Sequence, residues 1–216
     1  MIKAVIFDFD GTLVNTADDI IKCFNKTLQY FGYEKKESSY IRSLIGKNIE
    51  DICKALLPKD RGTDADIEVF RDKYREIYSG DPKAGSLPYN GIKELLLYLK
   101  TSGIKIIISS NKVQYLLEDM TAKLFDSCTF DLIIGSVKGK PPKPSPFFMQ
   151  TIREKFDFAD SEMIYVGDSI VDAETAFNAG IPALIVTWGI GDADLISKEY
   201  PVHIVNDTND IISYIS

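Results

Sequence analysis

The chain has 216 residues, 45% of them hydrophobic and 26% charged, which is enough for a substantial core and for one domain with an insertion or two small domains. A formal net charge of -7 argues against nucleic-acid or anionic-membrane partners, so any anionic ligand must be met by local positive charge or by a metal. Cys23, Cys53 and Cys128 are scattered and odd in number, and His203 is the single histidine, which argues against a disulfide framework and a structural zinc site and favours a reducing, cytoplasmic setting. No apolar run is long enough to span a bilayer, and no targeting segment, repeat or low-complexity tract is visible.

The first element, "KAVIFDF", is a short apolar run that reads as a buried strand. It ends in Asp8 and Asp10 with Gly11 directly behind them, although carboxylates this close repel each other and resist burial without a compensating cation or proton. Residues 15–83 then carry helical patterns. Thr16 with Asp19 reads as a capping box, followed by Ile20, Phe24, Leu28 and Phe31 at helical spacing and Gly32 as the stop. Ile67, Phe70, Tyr74 and Ile77 form a second stripe, and both stripes read as helix core. This segment is expected to be an all-helical insertion over 15–83, with residues 1–14 and 84–216 forming the other domain. The linkers "LVNT" and "SGDPKAGSLPYNG" would act as its hinge.

Four further runs, "IKIIISS", "FDLIIGS", "EMIYVGD" and "PALIVTW", read as strands buried on both faces. Between them, "NGIKELLLYLKTSG" places Ile92, Leu95, Leu96 and Leu99 on one helix face and stops at Gly103, and "KVQYLLEDMTAKLF" does the same with Val113, Leu116, Leu117 and Met120. The alternation predicts an α/β fold, a doubly wound, Rossmann-like parallel sheet with an inserted all-helical domain.

In an open parallel sheet the ligand site lies beyond the carboxyl ends of the strands, where Asp8 and Asp10 leave the first one. In extended chain the two would point to opposite faces, but Gly11 lets the backbone turn so that both approach one site. "GDSIVD" also follows a strand, with Asp168 at its end and Asp172 four residues later on the same side of a helix. Four carboxylates on one rim call for a hard divalent cation, Mg²⁺ with oxygen ligands at about 2.1 Å. Ser110, ending "IIISSN" with Asn111 behind it, offers a hydroxyl and backbone N–H groups near a helix start, which suits a phosphate. In "GKPPKPSPFF" the prolines restrict the backbone, so that Lys140 or Lys143 can be held toward the site as a fixed charge.

The order D-x-D-G-T-L after the first strand, Ser after an apolar strand, Lys-Pro in a loop, then G-D-S-x-x-D after another strand resembles the haloacid dehalogenase-like superfamily of phosphohydrolases. The resemblance covers essentially the whole chain, matches the insertion to that family's helical cap, and is strongest to its phosphoglycolate phosphatase and beta-phosphoglucomutase group. It implies that Asp8 is a nucleophile forming an aspartyl-phosphate and that Asp10 is the general acid and base. Mg²⁺ would bind the Asp8 and Asp168 carboxylates and the Asp10 backbone carbonyl, with Asp172 close by or acting through water. Gly11, Thr12, Ser110, Asn111 and Lys143 would serve the phosphate. Lys143 is preferred to Lys140 because only Lys143 opens K-P-x-P ahead of an apolar helix.

"YIRSLIGKNIED" resembles the specificity loop of capped relatives, and places Arg42 and Lys47 around Gly46 to meet a substrate carboxylate or second phosphate. The expected activity is Mg²⁺-dependent hydrolysis of a small phosphorylated metabolite, phosphoglycolate first, by a monomer or weak dimer. An inorganic pyrophosphatase, a nucleotidase and beta-phosphoglucomutase-like transfer are the enzymatic alternatives, the last disfavoured because "VNTADDIIKCF" lacks a histidine. Asp10 disfavours the dehalogenase and phosphonate-cleaving branches. A receiver-like or inactive binding module is the non-enzyme alternative, yet the insertion interrupts the first crossover and Asp8, Asp10, Lys143 and Asp168 are all present.

Overall fold

The computed structural model describes residues 1–127 and 129–216, so Cys128 lies outside the described residues. The strands are β1 (Ala4–Phe7), β2 (Val14–Asn15), β3 (Leu87–Pro88), β4 (Lys105–Val113), β5 (Leu132–Ser136), β6 (Met163–Gly167), β7 (Ala183–Val186) and β8 (Val202–Val205). The helices are α1 (Ala17–Tyr30), α2 (Ser38–Arg42), α3 (Ile49–Leu56), α4 (Asp64–Gly80), α5 (Ile92–Thr101), α6 (Gln114–Leu124), α7 (Phe147–Lys155), α8 (Ile170–Ala179), α9 (Ala193–Glu199) and α10 (Thr208–Ile215). Six strands form one sheet in the order β5-β4-β1-β6-β7-β8, and every pairing in it is parallel.

The apolar runs are continuous because helices cover both faces of the sheet. With side chains alternating along each strand, Val5, Phe7, Ile106, Ile108, Ile164 and Val166 join one core with residues of α5 and α6. Ala4, Ile6, Ile107, Met163 and Tyr165 face the other way and pack with Phe148, Ile152 and Ala176 of α7 and α8. The five expected strands all form, and β8 joins them as a sixth strand of the sheet. Its run "VHIV" lies at the sheet edge with His203 and Ile204 exposed, so it lacks the apolar continuity that marks the inner strands.

Four helices, α1 to α4, fill the stretch between β2 and β3. Ile20, Phe24 and Leu28 of α1 are buried with Ile67, Phe70 and Tyr74 of α4, and the Phe24 and Tyr74 rings stack with centroids 3.8 Å apart. Ile77 packs half-buried against the same core, and Tyr78 beside it is fully buried. Cys23 and Cys53 are free thiols inside this unit, and burial pushes them up to about 11 and about 12. No helix among the described residues is long and apolar enough to cross a membrane.

The two connections are more ordered than a loose hinge. Val14–Asn15 pairs antiparallel with Leu87–Pro88, forming a short ribbon between sheet and helices. The Thr16–Asp19 capping box does not form, because both side chains have stronger partners in the tertiary structure. Thr16 Oγ1 donates to Asp10 Oδ1 at 2.7 Å, while Asp19 Oδ2 accepts from Gly85 N at 3.1 Å and Ser86 Oγ at 2.8 Å in the second connection. Asp81, at the end of α4, accepts from Lys22 at 2.7 Å and Lys26 at 3.0 Å on α1.

Candidate active site

The carboxyl ends of β1, β4 and β6 meet under the helical insertion. Asp8 follows β1 directly and is buried, and its Oδ1 accepts from Lys143 Nζ at 2.9 Å. The same ammonium reaches Asp172 Oδ1 at 2.7 Å, Ser109 O at 3.0 Å and Tyr165 Oη at 2.9 Å. Burial disfavours the charged lysine, but Asp172 and Asp8 outweigh it and hold the Lys143 ammonium well above its ordinary range. The prolines around Lys143 and the Asn111 amide fix this loop, since Asn111 Oδ1 accepts from Lys143 N at 2.8 Å. Lys140 lies elsewhere, exposed, with its ammonium 5.4 Å from the Phe147 ring centre.

Asp8, Asp168 and Asp172 are all buried and bring carboxylate oxygens within 4.8 Å of one another. Burial, reinforced by the neighbouring carboxylates, pushes Asp8 up to about 7 against the pull of Lys143, and pushes Asp168 up to about 8. With all three carboxylates ionised, one lysine does not neutralise this cluster. An all-oxygen, carboxylate-rich and strongly held donor set fits a hard divalent cation. Asp168 is oriented by Thr12 Oγ1 at 2.9 Å and by the Ile190 N–H at 2.8 Å. Asp172 splits its oxygens: Oδ1 faces Lys143, and Oδ2 caps α8 by accepting from Ser169 N at 3.0 Å and Ser169 Oγ at 2.6 Å. With both oxygens so engaged, Asp172 would stand beside a cation held by Asp8 and Asp168.

The chain turns sharply between the two β1 carboxylates. Gly11 has φ +90°, and a Cβ there would lie 2.3 Å from Asp168 Oδ2, so only glycine lets Asp168 close in. Asp10 is thereby carried away from the acid cluster. Its Oδ1 accepts from Thr16 at 2.7 Å and pairs with Lys112 Nζ at 3.0 Å, and Lys112 also meets Tyr78 Oη of α4 at 3.3 Å. Asp8, Asp10, Ser110, Asn111 and Lys112 line a cavity of about 70 Å³, closed on the other side by Ile45, Gly46, Lys47, Tyr74, Arg75 and Tyr78.

Four of the expected site residues have other partners in the structure. Gly11 serves the turn rather than a phosphate, since its N–H donates to Val14 O at 2.9 Å. The Thr12 hydroxyl is committed to Asp168, so only its backbone is left for a phosphate. The Asn111 side chain is likewise occupied, clamping Lys143 and donating to Gly46 O at 3.1 Å, which ties the sheet to the insertion. Arg42 does not line the cavity; it is exposed and pairs with Asp18 at 2.9 Å, because its helix α2 lies against the outer side of α1. Gly46 and Lys47 of the same loop do reach the cavity, as does Ser110.

Lys112, Thr16, Tyr78 and Arg75 were not identified from the sequence as site residues. Lys112 had a usable signal in its place two residues after Ser110, whereas Tyr78 and Arg75 fall inside a stripe that reads as helix core.

A family model of haloacid dehalogenase-like hydrolases matches residues 5–186. The chain belongs to the haloacid dehalogenase-like hydrolase family. Phosphoglycolate phosphatase of Aquifex aeolicus (strain VF5) is 32% identical over 191 residues, covering 87% of this chain and 85% of that protein. Phosphoglycolate phosphatase of Neisseria gonorrhoeae is 29% identical over 201 residues, covering 92% and 85% respectively. A haloacid dehalogenase-like hydrolase from Bacteroides fragilis superposes with a TM-score of 0.90 at 30% identity, over 98% of this chain and 100% of that one.

The acid cluster of this haloacid dehalogenase-like hydrolase has a measurable consequence for stability. In the metal-free folded protein Asp8 and Asp168 keep their protons up to about 7 and about 8, whereas unfolded carboxyls lose theirs near pH 4. The folded state therefore binds more protons across that window, and stability falls as pH rises through it. The melting temperature in EDTA is expected to drop by several degrees between about pH 5 and about pH 8. Mg²⁺ should raise it more at the upper end, and a metal-free melting temperature that climbs across this range would contradict the assignment.

Proposed function

We propose that the protein is a Mg²⁺-dependent phosphoric monoester hydrolase that works through an aspartyl-phosphate on Asp8. The observation that carries this reading is the division of labour between the two carboxylates after β1. Asp8 sits in the buried acid cluster against Lys143, and Asp10 is drawn to the cavity wall by Thr16 and Lys112. A cation held by Asp8, Asp168 and the Asp10 carbonyl would supply charge to the phosphoryl oxygens and lower the repulsion that an anionic nucleophile meets.

The Asp8 carboxylate attacks phosphorus as the bond to the leaving oxygen breaks, and Asp10 gives that oxygen its proton so that an alcohol departs. Asp10, now ionised, takes a proton from water, whose oxygen attacks the same phosphorus and breaks the bond to Asp8, releasing phosphate. Ser110 and Lys143 hold the phosphoryl group between these steps. The helical insertion acts as a cap that excludes stray water, and the β2–β3 ribbon is where it would swing. Asp10→Asn is expected to lower kcat by about 10²–10⁴-fold, measured as phosphate release from phosphoglycolate and from an aryl phosphate.

Phosphoglycolate is the proposed substrate, supported by the names of the relatives. The enzyme would act as a monomer or weak dimer in a reducing cytoplasm, without nucleic-acid or membrane partners. Across a panel of phosphometabolites kcat/KM should be highest for phosphoglycolate. A sugar phosphate or nucleotide ranking above it would reassign the substrate.

A further inference from the structure

We propose that the loop after β7, residues 187–191, is a positioning element for the metal centre, and that Trp188 on this loop reports whether a cation is held there. The inference rests on the Mg²⁺ reading above. Three hydrogen bonds close a circuit through the loop. Trp188 Nε1 donates to Thr12 O at 3.1 Å, Thr12 Oγ1 donates to Asp168 Oδ1 at 2.9 Å, and the Ile190 N–H donates to Asp168 Oδ2 at 2.8 Å. Thr12 lies in the turn that follows Asp8 and Asp10, and Asp168 follows β6 directly. The circuit therefore joins the carboxyl ends of β1 and β6 through a segment that leaves the neighbouring strand β7.

The two bonds to Asp168 arrive one at each oxygen, which fixes the rotation of its carboxylate. A carboxylate oxygen has two acceptor directions, so each keeps one for a cation while the protein holds the other. An Asp168 oxygen lies within 4.8 Å of oxygens of Asp8 and Asp172, so the free directions belong to the acid cluster. The loop backbone is packed onto the same residue. A Cβ at Gly189 would overlap the Asp168 Cβ and stand 2.7 Å from its Oδ2, and a Cβ at Gly191 would overlap the Asp168 carbonyl oxygen. Glycine at both positions lets the backbone come close enough for the Ile190 bond. Groups that orient a metal ligand in this way set metal affinity without touching the metal. Trp188 is the only tryptophan in the chain, and its half-buried ring packs on Tyr89 with centroids 6.5 Å apart. Drawing Asp168 toward a cation shifts Thr12 and Ile190 together, and the indole tied between them changes its surroundings.

The test titrates the EDTA-stripped chain with Mg²⁺ while tryptophan emission and melting temperature are followed. Wild-type emission should change saturably. Gly189→Ala should raise the Mg²⁺ Kd by roughly 10- to 100-fold. Trp188→Phe removes only the indole N–H and the reporter, and should raise Kd by a smaller factor, read from the rise in melting temperature that Mg²⁺ produces. It is the deciding variant where Gly189→Ala fails to fold. A loop with a purely structural role would lower the metal-free melting temperature and leave Kd alone. A Kd within about twofold of wild type in either folded variant, or wild-type emission that stays flat while Mg²⁺ raises the melting temperature, would overturn the proposal. Wild-type hydrolysis of an aryl phosphate tests the phosphatase reading separately. Its absence with the emission titration intact would remove that reading and leave the role of the loop standing, whereas its presence with unchanged Kd values would remove the loop alone.

Discussion

Asp8→Asn is expected to abolish turnover while leaving a folded protein. An amide oxygen is too weak a nucleophile to displace an alkoxide from phosphorus, and no other carboxylate occupies the Asp8 position at the end of β1. The fold should tolerate the change. Asp8 is raised by burial and by its neighbours, so replacing it with a neutral group removes repulsion in the acid cluster, and Lys143 keeps Asp172 at 2.7 Å. Enzyme quenched after mixing with radiolabelled substrate should carry phosphate that hydroxylamine releases in the wild type and none in Asp8→Asn. Near-normal turnover by the variant, with its melting temperature unchanged, would sink the covalent mechanism.

EDTA should remove activity completely and Mg²⁺ should restore it. The reason lies in three buried carboxylates within 4.8 Å that share the single Lys143 ammonium. Attack needs Asp8 ionised, and without a further cation a phosphate dianion brought to the ionised cluster would meet net negative charge in a water-poor site, where repulsion is weakly screened. Ca²⁺ should inhibit when it replaces Mg²⁺, because its larger and looser oxygen shell lengthens the contacts that align the attacking carboxylate with the leaving oxygen. Initial rates titrated against each ion would settle the point. Full activity in metal-free buffer would refute the metal assignment outright.

Much of the site could be read directly because it is built from short segments that follow strands. Asp8, Asp10, Ser110, Lys143 and Asp168 each follow an apolar run or stand among prolines, and a parallel sheet must deliver all such segments to one edge. The inner strands were legible for the same reason, since burial on both faces demands unbroken apolar runs. The alternation of strands and helices, and the helical insertion after the first strand, follow from local periodicity alone.

The tertiary structure decided which polar groups were left over. Thr16 carries the sequence signature of a cap, yet its hydroxyl is drawn to Asp10 because the first turn of α1 lies against the β1 loop. Arg42 and Arg75 are both cap arginines in sequence, but Arg42 pairs with Asp18 on the outer side, whereas Arg75 lines the cavity with its Nε unpartnered. Lys112 becomes part of the site only when α4 brings Tyr78 across to it. Local sequence determined which segments turn, coil or extend, because those choices depend on neighbours along the chain. Partnering of charges and buried donors depends on groups brought together from distant segments, so only the folded packing could assign it.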